Sequence, residues 1–402
     1  MSSRALGVLL LIINKIADKD TSSMDGASEK IINVLFLVHT LARGGAETQL
    51  ITLINKINAK RFNKSLIIFD KNIDQLSCVD TDTVKTHHFY RKFKYDYRII
   101  KRIAKYIDDN QIEVIHCTLQ FSVLIGQLAV ILARRNPRII AALHTTVNVN
   151  TKYELFDKYC YRYLLRKCEK IIFVCKEQEE YWTQRFPELK EASVVIYNGV
   201  DVDHFCVDNL QVTRTELKYD LPHSKDAHII SCIAGFRPEK GHRYLINAFV
   251  RMNKDCQLIL VGDGPTRKDI EMLVHDKGVS NRVQFVGEID DVRPILRISD
   301  ITVIASNSVE TFSMAMLESM SMQTPVVASN VGGLSEAIIP GDTGILTEPA
   351  NPEELADKIT KILSNKQELI DMGRNARRIV IEKFSDIKMV KETERILFES
   401  AQ

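Results

Sequence analysis

Residues 301–330 read ITVIASNSVETFSMAMLESMSMQTPVVASN, and this stretch decides the fold of the chain. It begins and ends with short apolar runs, 301–306 and 325–330, of the kind that strands form when both faces of a parallel sheet are covered. A helix is predicted between them. A strand–helix–strand unit of this kind is typical of a doubly wound α/β domain.

Two carboxylates stand within this stretch, Glu310 in the loop after the first strand and Glu318 in the helix. The backbone N–H groups near Phe312, Ser313 and Met314 are predicted at the helix N-terminus, where unpaired donors and the helix dipole favour a diphosphate. Carboxylates on either side suit the hydroxyl groups of a nucleotide-sugar. An acidic helix with one solvated Glu gives the same spacing, and spacing alone favours that ordinary interpretation.

Two blocks of alternating apolar and amphipathic segments predict two such domains that face a central cleft, where ligands usually bind. The predicted strands are 32–39, 65–69, 114–117, 138–144, 171–175 and 194–197, then 229–234, 257–261, 283–286, 301–304 and 325–328. The predicted division is a flexible extension (1–30), a Rossmann-like domain (31–205), a linker (206–226), a second Rossmann-like domain (227–383) and a C-terminal helix that returns to the first domain (384–402).

The composition indicates a globular protein whose small net charge gives no overall positive potential to attract nucleic acid. The 402 residues are 45% hydrophobic and 26% charged, with a net charge of +2. The eight Cys form no CxxC pair, which favours free thiols in a reducing compartment over disulfides or a zinc site. An apolar run at 5–13 is too short to cross a bilayer. We interpret it as part of a flexible extension, with a weak membrane-touching segment as the alternative.

Several cleft-edge motifs follow predicted strands. Gly44 and Gly45 allow close approach of the backbone to a ligand, although a tight structural turn explains them equally well and they are not a GxGxxG motif. Arg237 and Lys240 are placed to reach an anion, with a solvated basic loop as the alternative. His144 ends a strand at the cleft edge, where a structural histidine is the other interpretation.

Basic and aromatic residues interleave over residues 90–105. A solvated helix face is the more common explanation for such a run. A patch for anionic lipid is the second interpretation, to which residues 159–170 would contribute. A nucleic-acid role is the least favoured, because the net charge is balanced.

Taken together, these motifs resemble the family 4 glycosyltransferases of the GT-B fold, from about residue 31 to the end of the chain. Each motif is weak alone, but together and in family order they are specific. The residues that carry the resemblance are Gly44–Glu47, His144, Asn198–Asp201, Arg237–Gly241, Val261–Pro265, Glu310 with Glu318, and Gly332, Gly333 and Glu336.

The resemblance implies the roles of the site residues. Glu318 would hold the donor ribose and Glu310 would lie at the transferred sugar. The diphosphate would contact the backbone of residues 311–314, here Thr311, Phe312, Ser313 and Met314, with Lys240 neutralising it and Gly44 and Gly45 close by. His144 would contact the sugar and stabilise positive charge near the anomeric carbon. The family's usual Arg position is Gly235 in this chain, and Arg237 is the candidate replacement.

The implied activity is a metal-independent, retaining transfer from a UDP- or GDP-linked sugar to a polysaccharide, oligosaccharide or lipid-linked acceptor. It needs no cofactor beyond the donor substrate. We expect a cytoplasmic monomer or weak dimer, at the inner face of an anionic membrane and without a nucleic-acid partner. Two alternatives remain at this stage, a nucleotide-sugar 2-epimerase of GT-B architecture and a non-catalytic homologue.

Overall fold

A computed structural model describes residues 30–91, 96, 98–144, 161–212, 227–252 and 255–402. The predicted extension before residue 30 lies outside these residues, as does residues 213–226 of the predicted linker. Lys92 and Lys94 of the basic run also lie outside them. The domain boundaries proposed at residues 205 and 227 therefore stay predictions.

The first domain is built on a parallel sheet of seven strands in the order β3-β2-β1-β4-β5-β6-β7. The strands are β1 (Ile32–Val38), β2 (Phe62–Ile68), β3 (Val84–His88), β4 (Val114–Thr118), β5 (Arg138–Leu143), β6 (Lys170–Phe173) and β7 (Ser193–Val195). The described α-helices between them are α1 (Gly45–Lys56), α2 (Arg98–Asp109), α3 (Gln120–Leu132), α4 (Arg162–Leu165) and α5 (Lys176–Arg185).

The second domain contains a parallel sheet of six strands in the order β10-β9-β8-β11-β12-β13. The strands are β8 (His228–Ile233), β9 (Cys256–Val261), β10 (Val283–Gly287), β11 (Ile301–Ile304), β12 (Val326–Ser329) and β13 (Gly344–Thr347). The helices are α6 (His242–Arg251), α7 (Arg267–Asp276), α8 (Arg293–Ile298), α9 (Met314–Ser321), α10 (Leu334–Ala337), α11 (Pro352–Leu363), α12 (Lys366–Lys383) and α13 (Asp386–Ser400).

Apolar side chains on both faces of each sheet explain the doubly wound arrangement. In β1, Leu35 and Leu37 pack with α2 and α3, whereas Val34 and Phe36 point to the other face, with α1. Strands β4 and β9 are buried along their whole length. The predicted two-domain GT-B architecture is confirmed.

Two strands were missed by the sequence analysis, β3 and β13. Both are outer strands of their sheets. Strand β3 reads Val-Lys-Thr-His-His and is only partly buried, so it lacks the continuous apolar run by which the inner strands were recognised. Strand β13 is short, begins at Gly344 directly after a turn, and is also only partly buried.

The C-terminal helix α13 returns to the first domain as predicted. Met389 and Leu397 join the apolar core formed by α1 and β1. At its start, Asp386 and Asp201 both pair with Lys56, the latter at 2.6 Å. Within the described residues, no helix is both long enough and apolar enough to cross a membrane.

Residues 301–330 form the predicted strand–helix–strand unit, which consists of β11, α9 and β12. Strands β11 and β12 are neighbours in the second sheet, paired in parallel. Glu310 lies in the loop between β11 and α9, and Glu318 lies inside α9. The loop is therefore at the carboxyl end of a central strand, where ligands bind in open α/β sheets.

Candidate active-site cleft

A cleft of about 720 Å³ opens between the two domains. The first domain contributes residues 42–47, Leu119, His144 and Asn198. The second contributes the loops that follow β8, β9 and β11. Both groups come from the carboxyl ends of parallel strands, so the cleft lies where the doubly wound topology predicts a ligand site. With the exception of Glu318, the predicted site residues all line this cleft.

An ion pair lies at the base of the second domain's wall. The Lys240 Nζ donates to Glu310 Oε2 at 2.7 Å, and the Ser306 hydroxyl donates to the same oxygen at 2.7 Å. Glu310 is only 9% exposed. Their mutual attraction offsets part of the desolvation of both charges.

The loop that carries Glu310 is supported from behind by two glycines. Gly332 has φ +59°, and a Cβ there would lie 1.5 Å from the Glu310 carbonyl oxygen. The Gly333 N–H donates to the Thr311 carbonyl oxygen at 2.9 Å. Neither glycine is among the described residues that line the cleft. We therefore infer that they fix the position of the Glu310 loop.

Two helix N-termini converge beside this loop. Ser313 caps α9 through its hydroxyl, which accepts from the Met316 N–H at 3.3 Å. Within the described residues, the N–H groups of Phe312, Ser313 and Met314 have no acceptor. A Cβ on Gly45, at the start of α1, would lie 3.3 Å from Met314 Cγ. The positive ends of α1 and α9 are therefore adjacent in the cleft.

Glu47 is a cleft residue that belongs to the Gly44–Glu47 motif but for which the sequence predicted no role of its own. It is 8% exposed and lines the cleft, and burial raises the pKa of its carboxyl group. The positive charge of Arg237, in the other domain, opposes this shift. Glu47 stands three residues after the N-cap Gly44, the position of the acidic residue in a capping box, which was the available sequence signal.

Arg237 is exposed at the cleft wall, beside Gly235. A Cβ added to Gly235 would lie 3.8 Å from Arg237 Nε and 3.6 Å from the Asp263 carbonyl oxygen, both ordinary contacts. The Arg237 side chain thus passes close to the space that a side chain at position 235 would enter.

His144 lies at the end of β5 with its imidazole in the cleft. Burial lowers its pKa to about 4, so the ring is neutral near pH 7. Behind it, His116 is buried in β4, and burial together with the nearby His144 lowers its pKa to about 3. His116 therefore behaves as a neutral structural side chain.

Glu318 lies one helical turn beyond the start of α9 and is half-buried. Its carboxyl group has no hydrogen-bond or ion-pair partner among the described residues. Burial raises its pKa to about 7. The structure does not place Glu318 among the residues lining the cleft.

Contacts between the domains fix the cleft walls relative to each other. Asn198 Nδ2 donates to the Phe312 carbonyl oxygen at 3.0 Å. The Glu336 carboxylate accepts from the N–H groups of Lys176 and Glu177, at the start of α5, at 3.0 and 2.9 Å. Glu336 thus caps a helix of the first domain from the second domain.

The groups directed into the cleft are suited to an anion. In the described residues, no group of three or more His, Cys, Asp or Glu side chains is placed to hold a metal ion. The cleft instead presents the cations Lys240 and Arg237 and two helix N-termini. Such a set binds phosphate groups through charge and N–H donors.

Two family profiles match the chain. The profile described as Glycosyl transferases group 1 covers residues 213–379, and the one described as Glycosyltransferase Family 4 covers residues 43–204. The solved structure of HepE from Anabaena, in complex with UDP-glucose, superposes with a TM-score of 0.77 at 21% identity, over 92% of this chain and 100% of that one. This likeness concerns the fold.

Curated relatives agree with the profiles. The N-acetyl-alpha-D-glucosaminyl L-malate synthase of Bacillus anthracis is 32% identical over 206 residues, which is 51% of this chain and about half, 53%, of the relative. An uncharacterized glycosyltransferase of Methanocaldococcus jannaschii is 30% identical over 260 residues, which is 64% of this chain and 67% of the relative. The chain therefore belongs to family 4 of the glycosyltransferases and has their GT-B fold.

Proposed function

We propose that this protein transfers a sugar from a nucleotide-diphosphate donor to an acceptor hydroxyl, with retention of the anomeric configuration and without a metal ion. The observation that carries the proposal is the Glu310–Lys240 pair beside the two converging helix N-termini. The diphosphate would replace Glu310 as the partner of Lys240, and the N–H groups at the start of α9 would donate to its oxygens. Glu310 would then be free to accept from hydroxyl groups of the transferred sugar.

The reaction requires that negative charge be stabilised on the leaving diphosphate as the bond between the anomeric carbon and the phosphate oxygen breaks. Lys240, Arg237 and the helix N–H donors line the cleft in which the diphosphate would lie, and they would supply electrostatic preorganisation there. The acceptor hydroxyl attacks from the same face, and its proton passes to the departing phosphate. The neutral His144 ring does not repel the positive charge that develops at the anomeric carbon.

In this proposal the donor and the acceptor bind to opposite walls of the cleft. The nucleotide would lie on the second domain, and a UDP-linked sugar is favoured because HepE was solved with UDP-glucose; a GDP-linked sugar is the other option. The first domain would receive a glycan or lipid-linked acceptor. The protein would be a cytoplasmic monomer or weak dimer that contacts an anionic membrane peripherally.

Glu310→Ala and Lys240→Ala are expected to lower the turnover of sugar transfer by about a hundredfold or more, because each removes a charged group at the reacting centre. The assay is product formation from a panel of nucleotide-sugars with an acceptor extract, followed by mass spectrometry and NMR of the anomeric centre. Lys268→Ala, an exposed cation outside the cleft, is the matched control with unchanged turnover.

Near wild-type turnover in either cleft variant, with the fold intact, would contradict the site assignment. A C2-inverted donor sugar without any acceptor glycoside would identify an epimerase instead. The absence of any product over the whole panel would identify a non-catalytic homologue.

Arg237 is expected to supply the second cation for the diphosphate. Arg237→Ala should therefore raise the KM for the donor by about tenfold or more, since hydrogen bonds to charged groups contribute roughly 1.5–3 kcal/mol. The double variant Gly235→Arg/Arg237→Ala should recover most of this loss, because position 235 has room for a side chain. Equal donor KM values for Arg237→Ala and the wild type would rule out this role.

The buried Glu318 carboxyl group is expected to lower the free energy of unfolding at alkaline pH. Its raised pKa means that the folded protein holds this proton more tightly than the unfolded chain, so the associated stability is present below about pH 4.5 and is lost as pH rises through about 7. Glu318→Gln is expected to raise the free energy of unfolding near pH 8 by about 1–3 kcal/mol. Urea unfolding near pH 5 and pH 8 measures this effect. Destabilisation of the Gln variant near pH 8 would contradict the burial argument.

A further inference from the structure

The first domain carries an exposed surface that the cleft does not use, where apolar and cationic side chains adjoin. We call it the basal edge and define it by residues at the end of α3, the start of β5 and the segment after α4. Ile131 is 67% exposed and Leu132 is 54% exposed. The exposed cations of the basal edge are Arg134, Arg135, Arg138, Arg166 and Lys167.

The topology brings these segments together at the amino ends of the strands of the first sheet, which is the end remote from the cleft. Helix α3 begins at Gln120, beside the cleft residue Leu119, and runs antiparallel to the strands for 13 residues. At a rise of 1.5 Å per residue it ends roughly 20 Å from the cleft. A second cavity, of about 280 Å³, is bounded by Ile131, Arg138 and Lys167, which places the three around one hollow.

The positive charge of the basal edge is only partly compensated, since Asp108 interacts electrostatically with Arg134 and Arg135. The side chains of Arg134, Arg135, Arg166 and Lys167 form no ion pair among the described residues. Asp108 accepts instead from the backbone N–H groups of Arg134 and Arg135, both at 2.9 Å.

Glu169 is the acid closest to the hollow. Its carboxylate lies 3.5 Å from Arg138, so it offsets one of the five cations.

Three cations of the predicted lipid patch at residues 90–105 have partners in the part of the chain that the structure describes. Arg91 donates to Asp70 at 2.8 Å. Lys105 pairs with Asp109 at 2.6 Å, and the Arg102 guanidinium lies over the Phe89 ring at 4.2 Å. These contacts lower the free positive charge of that patch, which favours the basal edge as the surface for an anionic partner.

We propose that the basal edge is a docking surface for an anionic phospholipid bilayer. Ile131 and Leu132 would enter the interfacial region, and the surrounding arginine and lysine side chains would bind lipid phosphates, which is how peripheral proteins combine apolar burial with charge attraction. The exposed aliphatic pair lies among five cations and few acids, and a negatively charged leaflet complements the net positive charge of this surface. The inference rests on the proposed membrane contact and is independent of the transfer reaction.

Docking at this edge leaves the cleft open to the aqueous phase. The cleft-bearing ends of the strands are roughly 20 Å from the membrane-facing ends of α3. An acceptor bound to the same membrane would therefore present its hydroxyl group on a chain that extends from the surface.

The test is co-sedimentation of the full-length protein with phosphatidylglycerol–phosphatidylcholine vesicles at low ionic strength. The wild type should bind these vesicles, bind pure phosphatidylcholine weakly, and dissociate as salt increases. Arg134→Glu/Arg135→Glu should lower the partition coefficient by at least about twenty-fivefold, at about fivefold for each cation near an anionic surface. Ile131→Ser/Leu132→Ser should lower it by at least about tenfold.

Lys366→Glu/Arg378→Glu, a charge reversal of the same size on the exposed face of α12, is the matched control and should bind like the wild type. Nucleotide affinity in solution should be equal in all the variants, so a failure of the transferase proposal leaves this test valid. Failure of the wild type to bind phosphatidylglycerol vesicles overturns the proposal. Wild-type binding by the basal-edge variants also overturns it, because the contact would then lie elsewhere, for example at residues 5–13.

Discussion

The ion pair between Lys240 and Glu310 is the interaction on which the rest of the cleft depends. Lys240 lies in the loop after β8, and Glu310 lies in the loop after β11. Strands β8 and β11 are neighbours in the sheet, so two central loops of the second domain are joined by one contact. The pair holds a cation at the convergence of two positive helix ends, where it would be repelled without a carboxylate. A diphosphate can take over that compensating role.

Close backbone packing gives this charge arrangement its precision. Gly332 lies against the Glu310 carbonyl group, so a side chain there would displace the Glu310 loop. Gly45 lies close to the Met314 side chain, which would have to shift slightly to admit a Cβ. Gly199 lies after β7, and Asp386 is the first residue of α13. A Cβ on Gly199 would lie 2.5 Å from Asp386 Cα. The backbone at Gly199 is thus packed directly against the start of α13.

The inner strands and the Glu310 loop were predictable from the sequence because they depend on local signals. Continuous apolar runs mark β4 and β9, and strand–loop–helix order places Glu310 at a carboxyl end. The outer strands β3 and β13 depend on pairing with a neighbour, which a local pattern does not encode. The cleft position of Glu47 and the supporting role of Gly332 depend on long-range packing. The basal edge was also missed, since Ile131 and Leu132 look like core residues until their exposure is known.

The most direct test of the central claim is calorimetric titration of the free nucleotide diphosphate, UDP or GDP, into the wild type, Lys240→Met and Glu310→Gln. If the Lys240–Glu310 pair reserves a cation for the diphosphate, Lys240→Met should weaken binding by about tenfold or more. Glu310→Gln should tighten it, because the competing carboxylate is gone. The corresponding nucleoside, without phosphates, should bind all three proteins equally. Unchanged diphosphate affinity in Lys240→Met, or weaker binding by Glu310→Gln, would contradict the account.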